Sequence, residues 1–590
     1  MTRQQAGLAK QCNDAAAVVE NAAEQLVSVL MAHGVDLIFL NPGTDTAPVQ
    51  EALARLAAKG FQPPRIIICP HEAVALAAAH AYFAVTGRPQ VVMVHVDVGT
   101  QNLGAMLHNA SRANAGVVII AGRTPNTAYG EQPGGRDLVV HWQQDVPDQT
   151  GIVRSYVKWA GDLVGADTLA RQLGRAFQIA RSAPAGPVYL TVAREVLMQP
   201  MEPSADGSLA VNRFGAPAPA APNPGALRDA AEILARSTHP VIITSRAGRD
   251  REAVPELVRL AELLGAAVVD RRERLNFPSD HPCYVADAAE GQAVLGRADA
   301  VLVIDCDVPW IPLRATPPEA ATIIQMDADP VKASIPGWSF PVDLAIQTDP
   351  VVGLRALIDA LETREGTDAS LPWEQRRRAV RSRPPWKSSD TSASRAEPAA
   401  GLTPDAVVAA LDEALAPEDI VVDEAVTNTE VLKRGLRRTL PGTVYQSGGS
   451  GLGWAVAAAM GTKLAAPGRR VVAIVGDGTF MFSSPTAALW AAHDAQAPIL
   501  VVILANGGYA ASRRPVFELY PDGTSALNGD VVGTRFQDAP DFAKLADACH
   551  AHGEHIYDED QLKPTLARCF ELLDEGRSAV LTCHVSSPWL

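Results

Sequence analysis

The stretch VVAIVGDG, residues 471–478, decides the fold of this chain. Its first five residues form an apolar run that predicts a buried parallel strand, and Gly476-Asp477-Gly478 follows at once. The pattern then predicts a helix over 486–495 and a second buried strand over 499–504, shortly before Asn506. A strand–helix–strand unit of this length is a right-handed crossover, so both strands end at the same edge of the sheet. We therefore expect Asp477 and Asn506 to lie close together at the carboxyl edge, where open α/β sheets bind ligands.

This pair offers one carboxylate and one amide oxygen, which suit a hard cation such as Mg²⁺. Gly476 and Gly478 let the backbone approach a ligand closely. Gly-Asp-Gly, 27 further residues and then Asn-Gly resembles the thiamin-diphosphate (ThDP) signature of the acetolactate synthase and benzoylformate decarboxylase group. The resemblance implies that ThDP and Mg²⁺ bind here. It also implies that the Gly508 carbonyl is the third protein ligand of the metal, with Tyr509 just beyond it.

The bulk composition describes a globular protein with ample core. The chain has 590 residues, of which 47% are apolar and 20% charged, and this length predicts three to five domains. The net charge is −15 and no basic stripe is present, which argues against nucleic acid and anionic membranes as partners. The seven cysteines form no Cys-x-x-Cys pair, and no apolar run has the length of a membrane span. We therefore expect reduced thiols and a cytoplasmic location.

Three α/β segments alternate with two linker-like stretches. Strands alternate with helices over about 20–200, 226–365 and 404–590, which predicts three consecutive doubly wound parallel-sheet domains. The repeated Ala-Pro of 215–225 and the polar stretch 364–403 are expected to be linkers. The resemblance covers nearly the whole chain. It implies that the three segments are a pyrimidine-binding, a central and a diphosphate-binding domain.

Glu72 is the second key residue, because it opens an alanine-rich helix directly after a predicted strand at 65–69. On its own it would be an ordinary first-turn glutamate that stabilises the helix dipole. The resemblance instead implies that its carboxylate binds the aminopyrimidine of ThDP and promotes the imino form that activates the thiazolium. In the resembled family the cofactor bridges two subunits. The resemblance thus implies a homodimer as the minimum catalytic unit, and we expect a homotetramer.

A glycine-rich turn over 448–453 opens another helix, and backbone amides at such a turn suit an anion. The resemblance places Gly451 and Leu452 at the cofactor, with Leu452 propping it in a bent conformation. The alternative is that the glycines only form a tight turn before the helix and that Leu452 is an ordinary core residue. The resemblance also implies contacts to the diphosphate from residues that would otherwise be capping groups, namely Thr479, Thr427 and Asn428.

His95 stands at the end of a predicted strand on the Glu72 side of the site. It resembles the active-site histidine of benzoylformate decarboxylases and would shuttle a proton near neutral pH. The alternative is a structural histidine. The segment 41–45 resembles the part of the decarboxylases that borders the substrate, and Gln101 and Asn102 either contact substrate or begin the next helix.

Two further motifs favour plain structural roles. His550, His552 and His555 are predicted to be exposed histidines at a helix end and not metal ligands. The segment 245–249 follows a strand where acetolactate synthases place a flavin segment, but it lacks the richer glycine pattern, so we do not expect FAD. The glycine-rich turn also departs from a dinucleotide fingerprint at Trp454, which argues against a nicotinamide dehydrogenase.

The resemblance as a whole implies an enzyme that acts on a small 2-oxo acid or 2-hydroxyketone. The leading interpretation is acetolactate synthase-like: decarboxylation, carboligation to a 2-hydroxyketone or acetolactate-type product, or both. The alternative is an aldehyde-releasing or carbon–carbon-cleaving enzyme like benzoylformate decarboxylase or benzaldehyde lyase, which His95 favours. A ThDP-binding sensor or assembly subunit is the non-enzyme alternative, and Glu72 argues against it. The C-terminal residues 586–590 are a candidate cover of the pocket.

Overall fold

Three consecutive α/β domains make up the chain, each built around one parallel sheet. The computed structural model describes residues 18–201, 213–365, 372–382 and 401–586. The predicted fold class is confirmed. Of the expected pocket cover, residues 587–590 lie outside the described residues.

The first domain has a six-stranded sheet in the order β2-β1-β3-β4-β6-β5. Its strands are β1 (Leu37–Leu40), β2 (Arg65–Ile68), β3 (Val91–Val94), β4 (Val118–Arg123), β5 (Trp159–Leu163) and β6 (Val188–Ala193). A 3₁₀ turn covers Thr150–Ile152, and the helices are α1 (Ala22–Ala32), α2 (Ala47–Ala58), α3 (Glu72–Thr86), α4 (Val96–Asn102), α5 (Gly104–Arg112), α6 (Val140–Gln143), α7 (Ala166–Arg181) and α8 (Arg194–Leu197). The central strands are buried on both faces, as their continuous apolar runs require.

The central domain has a five-stranded sheet in the order β11-β10-β9-β7-β8. Its strands are β7 (Pro240–Thr244), β8 (Ala267–Asp270), β9 (Ala300–Ile304), β10 (Thr322–Asp327) and β11 (Leu344–Gln347). A 3₁₀ turn covers Ala247–Arg249, and the helices are α9 (Pro224–Arg236), α10 (Ala253–Leu264), α11 (Ala288–Leu295), α12 (Pro350–Glu365) and α13 (Trp373–Arg381).

Helix α13 corrects the expectation that 364–403 is entirely a linker. Trp373 is buried in the core of the central domain. The Arg376 guanidinium donates to the carbonyl oxygens of Leu234 (3.0 Å) and Ser237 (2.6 Å) at the end of α9. An aromatic side chain and an arginine that caps another helix anchor this polar stretch to the domain.

The third domain repeats the strand pattern of the first, in the order β13-β12-β14-β15-β17-β16. Its strands are β12 (Ile420–Glu424), β13 (Val444–Tyr445), β14 (Val471–Gly476), β15 (Leu500–Ala505), β16 (His552–Ile556) and β17 (Ala579–His584). A 3₁₀ turn covers Val426–Asn428, and the helices are α14 (Pro404–Ala414), α15 (Thr429–Gly435), α16 (Ala455–Ala465), α17 (Asp477–Phe482), α18 (Pro485–Asp494), α19 (Ala510–Leu519), α20 (Thr524–Asn528), α21 (Phe542–Ala548) and α22 (Glu559–Asp574).

Helices α3 and α16 join the first domain to the third, and one apolar core spans both domains. Both helices are rich in alanine, so their backbones approach closely. A Cβ placed on Gly461 would lie 2.1 Å from the Ala78 carbonyl oxygen. The buried Trp454 indole N–H donates to His80 Nδ1 at 3.1 Å. This contact fixes how the two domains sit against each other.

Candidate cofactor and active site

Asp477 and Asn506 lie at adjacent strand ends, as the sequence predicts. Strands β14 and β15 are paired neighbours, with Gly476 opposite Leu504. The buried Asp477 carboxylate accepts hydrogen bonds from the backbone N–H groups of Gly478 (2.8 Å), Gly507 (2.7 Å) and Gly508 (3.1 Å). These bonds hold its side chain against the loop that carries Asn506.

The Asn506 side chain has a buried Oδ1 atom without a hydrogen-bond partner among the described residues. Such an atom is costly unless a ligand satisfies it. Asp477 also keeps about one spare acceptor position, since an ionised carboxylate has about four lone-pair sites and three are used. Burial raises the pKa of Asp477, and a cation beside it would offset that cost. The residues present therefore fit a divalent metal ion.

The loop after Asn506 is clamped by a second segment, 534–536. The Tyr509 N–H donates to the Thr534 carbonyl (2.8 Å), and the Phe536 N–H donates to the Gly507 carbonyl (2.9 Å). Gly508 has a φ of +155°, and a Cβ there would lie 2.1 Å from the Thr534 oxygen. Only glycine fits this position, which presents the backbone of Gly508 towards Asp477.

The remaining predicted cofactor residues of this domain lie at the same sheet edge. A Cβ on Gly478 would lie 2.5 Å from the Tyr509 ring, so these two residues are in direct contact. The buried Thr479 hydroxyl donates to the Glu424 carbonyl oxygen at the end of β12 (3.4 Å). Thr427 and Asn428 lie in the 3₁₀ turn that follows this strand, and Asn428 is buried.

The glycine-rich turn differs from the expectation that its amides suit an anionic ligand. The buried Glu424 carboxylate accepts from the backbone N–H groups of Gly453 (3.0 Å) and Ala455 (2.8 Å). The Gly451 N–H donates to Asn109 Oδ1 (2.8 Å). A protein carboxylate and an amide side chain thus take these donors, and burial raises the pKa of Glu424 to about 7. Leu452 is half-buried in this turn.

Glu72 lies at the carboxyl edge of the first sheet, as the first residue of α3. Its carboxylate is 5% exposed and accepts from Asn41 Nδ2 (2.9 Å) and Asn102 Nδ2 (2.9 Å). A Cβ on Gly99 would lie 3.1 Å from Glu72 Oε1. Sequence reasoning missed both asparagine contacts. Asn102 ends helix α4 instead of starting a helix, and Asn41 follows β1, a neighbour of the strand that precedes Glu72.

His95 follows β3 and is held on both sides of its ring. Its Nδ1 lies 2.5 Å from Asp45 Oδ1, and its Nε2 lies 3.1 Å from Gln144 Oε1. The hydrogen bond with Asp45 raises the pKa of His95 in spite of the ring's partial burial. His141 lies nearby, and burial lowers its pKa. Asp45 belongs to the segment 41–45 that was expected to border the substrate, but the contacts of Asp45 and Gln144 with His95 were not predicted, because both residues are about 50 positions from His95 in the chain.

The structure thus forms two groups of predicted site residues. One group surrounds Asp477 in the third domain, and the other surrounds Glu72 and His95 in the first. Over the described parts of the chain, no hydrogen bond or ion pair joins Glu72 or His95 to Asp477 or Asn506.

The carboxyl edge of the central sheet is filled by a network of charges. Arg246 is buried and paired with both oxygens of Asp307 (2.8 and 2.6 Å). Lys332 pairs with Asp307 (2.8 Å) and Asp327 (2.7 Å). The segment 245–249 therefore supplies ion pairs within the protein at the position where a flavin segment was considered.

His550 follows the end of helix α21 and is exposed, as predicted, but the other two histidines near the C-terminus lie elsewhere. His552 and His555 belong to strand β16 and not to a helix end. His552 contacts Glu554 (2.6 Å), and His555 contacts Asp541 (3.0 Å). Strand β16 was missed because it is a polar strand at the edge of the sheet. No cluster of three or more metal-ligating side chains was found in the described ranges.

The described segments also contain no helix long and apolar enough to cross a membrane.

Comparison with known families matches all three domains in order. Residues 20–152 match the thiamine pyrophosphate enzyme N-terminal TPP binding domain, residues 227–357 the central domain and residues 425–583 the C-terminal TPP binding domain. The chain belongs to the thiamine pyrophosphate enzyme family. Two of the three matched domains are ThDP-binding domains, and they contain the Glu72 and Asp477 groups.

The relatives of the chain include both kinds of enzyme considered above. The benzoylformate decarboxylase of Pseudomonas aeruginosa is 29% identical over 497 residues, which are 82% of this chain and 86% of that protein. The acetolactate synthase of Mycobacterium bovis is 28% identical over 543 residues, or 89% of this chain and 82% of that protein. A solved thiamine diphosphate-dependent 4-hydroxybenzoylformate decarboxylase of Rhodococcus jostii RHA1 has the same fold, with a TM-score of 0.79 and 23% identity over 97% of this chain and 100% of that one.

Proposed function

We propose that this protein binds ThDP through Mg²⁺ and decarboxylates a small 2-oxo acid. The observation that carries the proposal is the buried Asn506 Oδ1, which lacks a partner among the described residues and lies on the loop bonded to Asp477. Asp477, Asn506 and the Gly508 carbonyl would hold the metal. When bound, ThDP would supply a nucleophilic carbon for the substrate carbonyl and an acceptor for the electron pair of the carbon–carbon bond that breaks as carbon dioxide leaves.

Residues of the first domain would activate the cofactor. The Glu72 carboxylate is held by two neutral amide donors, Asn41 and Asn102, and no cation lies against it among its described contacts. The Glu72 carboxylate can therefore still accept a hydrogen bond from a proton on the aminopyrimidine. This arrangement fits an enzyme better than a ThDP-binding sensor or assembly subunit, which has no need of a buried proton acceptor.

Release of an aldehyde is the outcome that the His95 group favours. An aldehyde forms when the carbon that lost carbon dioxide takes up a proton, and His95 with Asp45 supplies a proton donor at the edge of the same sheet. Carboligation to an acetolactate-type acid or a 2-hydroxyketone is the second candidate. It is supported by the similarity to acetolactate synthases.

The test is carbon dioxide release from a panel that includes pyruvate and benzoylformate, with aldehyde and 2-hydroxyketone products identified. Glu72→Gln should lower the turnover rate at least about 100-fold while ThDP still binds, because it removes the proton acceptor and keeps the shape. Glu51→Gln is the matched control, since Glu51 is an exposed glutamate on α2 of the same domain, and it should retain wild-type turnover. Wild-type turnover in Glu72→Gln would contradict the proposal.

A further inference from the structure

Both nitrogens of the His95 ring face oxygen atoms. Nδ1 lies 2.5 Å from the Asp45 carboxylate, which as an anion only accepts hydrogen bonds. Nε2 lies 3.1 Å from the amide oxygen of Gln144, which also only accepts. A neutral imidazole carries one N–H and leaves one of these contacts without a proton. With the Gln144 amide oxygen turned towards Nε2, only the doubly protonated ring satisfies both contacts.

Two glycines leave the space that the Asp45 and His95 side chains occupy. A Cβ on Gly122, at the end of β4, would lie 1.5 Å from Asp45 Oδ2. A Cβ on Gly43 would lie 2.1 Å from His95 Nδ1. Asp45 is 6% exposed, and its Oδ2 is a buried atom with no hydrogen-bond partner among the described residues. The carboxylate is thus held in a tight backbone pocket with the His95 ring as its described side-chain partner.

The other titratable groups around the ring reinforce this assignment. Asp97 on α4 adds a smaller favourable charge without a hydrogen bond to the ring. His141 on α6 lies near His95, and burial lowers the pKa of His141, which disfavours a second cation beside the ring. The net field at His95 therefore comes from carboxylates and favours the charged ring.

We propose that Asp45 is a positioning residue that holds His95 as a doubly protonated ring, so that His95 donates the proton that releases the aldehyde. The inference rests on the proposed function for its catalytic consequence. In the step, the Nε2–H bond breaks and a C–H bond forms at the carbon that lost carbon dioxide. The ring is left neutral, with its remaining proton on Nδ1 against Asp45. Solvent then returns a proton to Nε2.

The first test measures His95 directly, without any substrate. The ring is titrated by NMR in the full-length protein with ThDP and Mg²⁺, using ¹⁵N-labelled histidine and His95→Gln for assignment. Asp45→Asn should lower the pKa of His95, because it removes the charge and keeps the shape. Asp97→Asn is the matched control, a buried aspartate near the ring with no hydrogen bond to it, and should lower the pKa less. An unchanged pKa in Asp45→Asn, or a larger change in Asp97→Asn, would overturn the inference.

Gln144→Leu is the second variant if Asp45→Asn does not fold. It removes the acceptor at Nε2 and should also lower the pKa of His95, whereas a pKa equal to that of the wild type would count against the doubly protonated ring.

The second test is the pH profile of turnover. A proton donor is active when protonated, so kcat should fall as the pH rises through the pKa of His95. Asp45→Asn should move this basic limb to lower pH with little change in KM, and His95→Gln should abolish it. A basic limb that stays in place in Asp45→Asn would refute the positioning role. If the wild type turns over none of the 2-oxo acids tested, the proposed function fails while the NMR result still decides the Asp45–His95 link.

Discussion

At the scale of single residues, the buried carboxylates of Asp477 and Glu72 are both held by neutral donors. Asp477 accepts three backbone N–H groups, and Glu72 accepts two asparagine amides. Neutral donors fix the position of a carboxylate without cancelling its charge. The charge of Asp477 therefore remains available to a metal ion, and that of Glu72 to a proton on the cofactor.

The Asn102 contact leads to a prediction about Glu72. Asn102→Leu removes one of the two amide donors and should lower kcat about 10-fold, because loss of an orienting contact leaves the carboxylate less well placed. Asn102→Asp should be more severe, since it sets a second carboxylate against Glu72. Steady-state kinetics at saturating ThDP measures both. Equal activity in the wild type and Asn102→Asp would contradict this role.

Sequence reasoning reached the residues whose signal is local and missed the contacts that hold them. Asp477 lies in a Gly-Asp-Gly next to a strand, and Glu72 opens a helix next to a strand, so a short window of sequence is enough. The partners of Glu72 are 30 and 31 residues away, and Asp45 is 50 residues from His95. Those contacts depend on which strands are neighbours in the sheet, and a local sequence pattern does not predict strand order.

At the scale of secondary-structure elements, the site depends on two backbone contacts that only glycine permits. The first is the crossing of α3 and α16 at Gly461. Gly461→Ala would place a methyl group against the Ala78 carbonyl oxygen and should lower the free energy of unfolding by about 1–3 kcal/mol.

Gly468→Ala is the matched control for that crossing, because a Cβ there meets no atom within 4 Å. It should change the free energy of unfolding by no more than about 0.5 kcal/mol. Denaturant unfolding of both variants measures the difference. Equal stabilities would show that the two helices do not cross as closely as described.

The second contact is the clamp between the loop 506–509 and the segment 534–536. Gly508→Ala should cost about 1–3 kcal/mol in stability and weaken binding of ThDP with Mg²⁺, because the methyl group would push the loop away from Asp477. Gly507→Ala is the control: Gly507 also has a positive φ, of +81°, but has open space for a Cβ. Thermal unfolding measures the stability of both variants, and a ThDP titration measures their affinity for the cofactor. A Gly507→Ala variant that binds ThDP more weakly than Gly508→Ala would contradict the clamp.

Elements were predicted well where apolar runs mark them and poorly where they do not. Strands β14 and β15 are continuous apolar runs and lie within one residue of their predicted bounds. Strand β16 reads His-Gly-Glu-His-Ile at the sheet edge, and helix α13 has a single buried tryptophan in a polar stretch. Edge strands and surface helices bury too few apolar side chains to leave a pattern.

At the scale of the whole molecule, the two halves of the site belong to different domains. Glu72 and Asp477 lie at the carboxyl edges of separate sheets that share the same strand order. Their groups have no hydrogen bond in common among the described residues. As the family resemblance implies, we expect a complete site to form between two subunits of a homodimer.

Hybrid dimers test that prediction. Glu72→Gln and Asp477→Ala subunits are co-expressed with different tags, and the mixed dimers are purified. If each site uses Glu72 of one subunit and Asp477 of the other, a mixed dimer has one intact site and should show about half of wild-type activity. Each parent variant alone is the control and should be inactive. Mixed dimers without activity would indicate that each site is formed within a single subunit.

A calorimetric titration of the protein with ThDP, in the presence and absence of Mg²⁺, tests whether the sheet edge at Asp477 binds the cofactor and the metal. We expect binding that requires the metal and that weakens at least about 100-fold in Asp477→Ala, because the metal loses its carboxylate ligand. Asp494→Ala removes an exposed carboxylate at the end of α18 in the same domain and should bind like the wild type. Metal-independent binding, or wild-type affinity in Asp477→Ala, would contradict the assignment of this sheet edge as the ThDP and metal site.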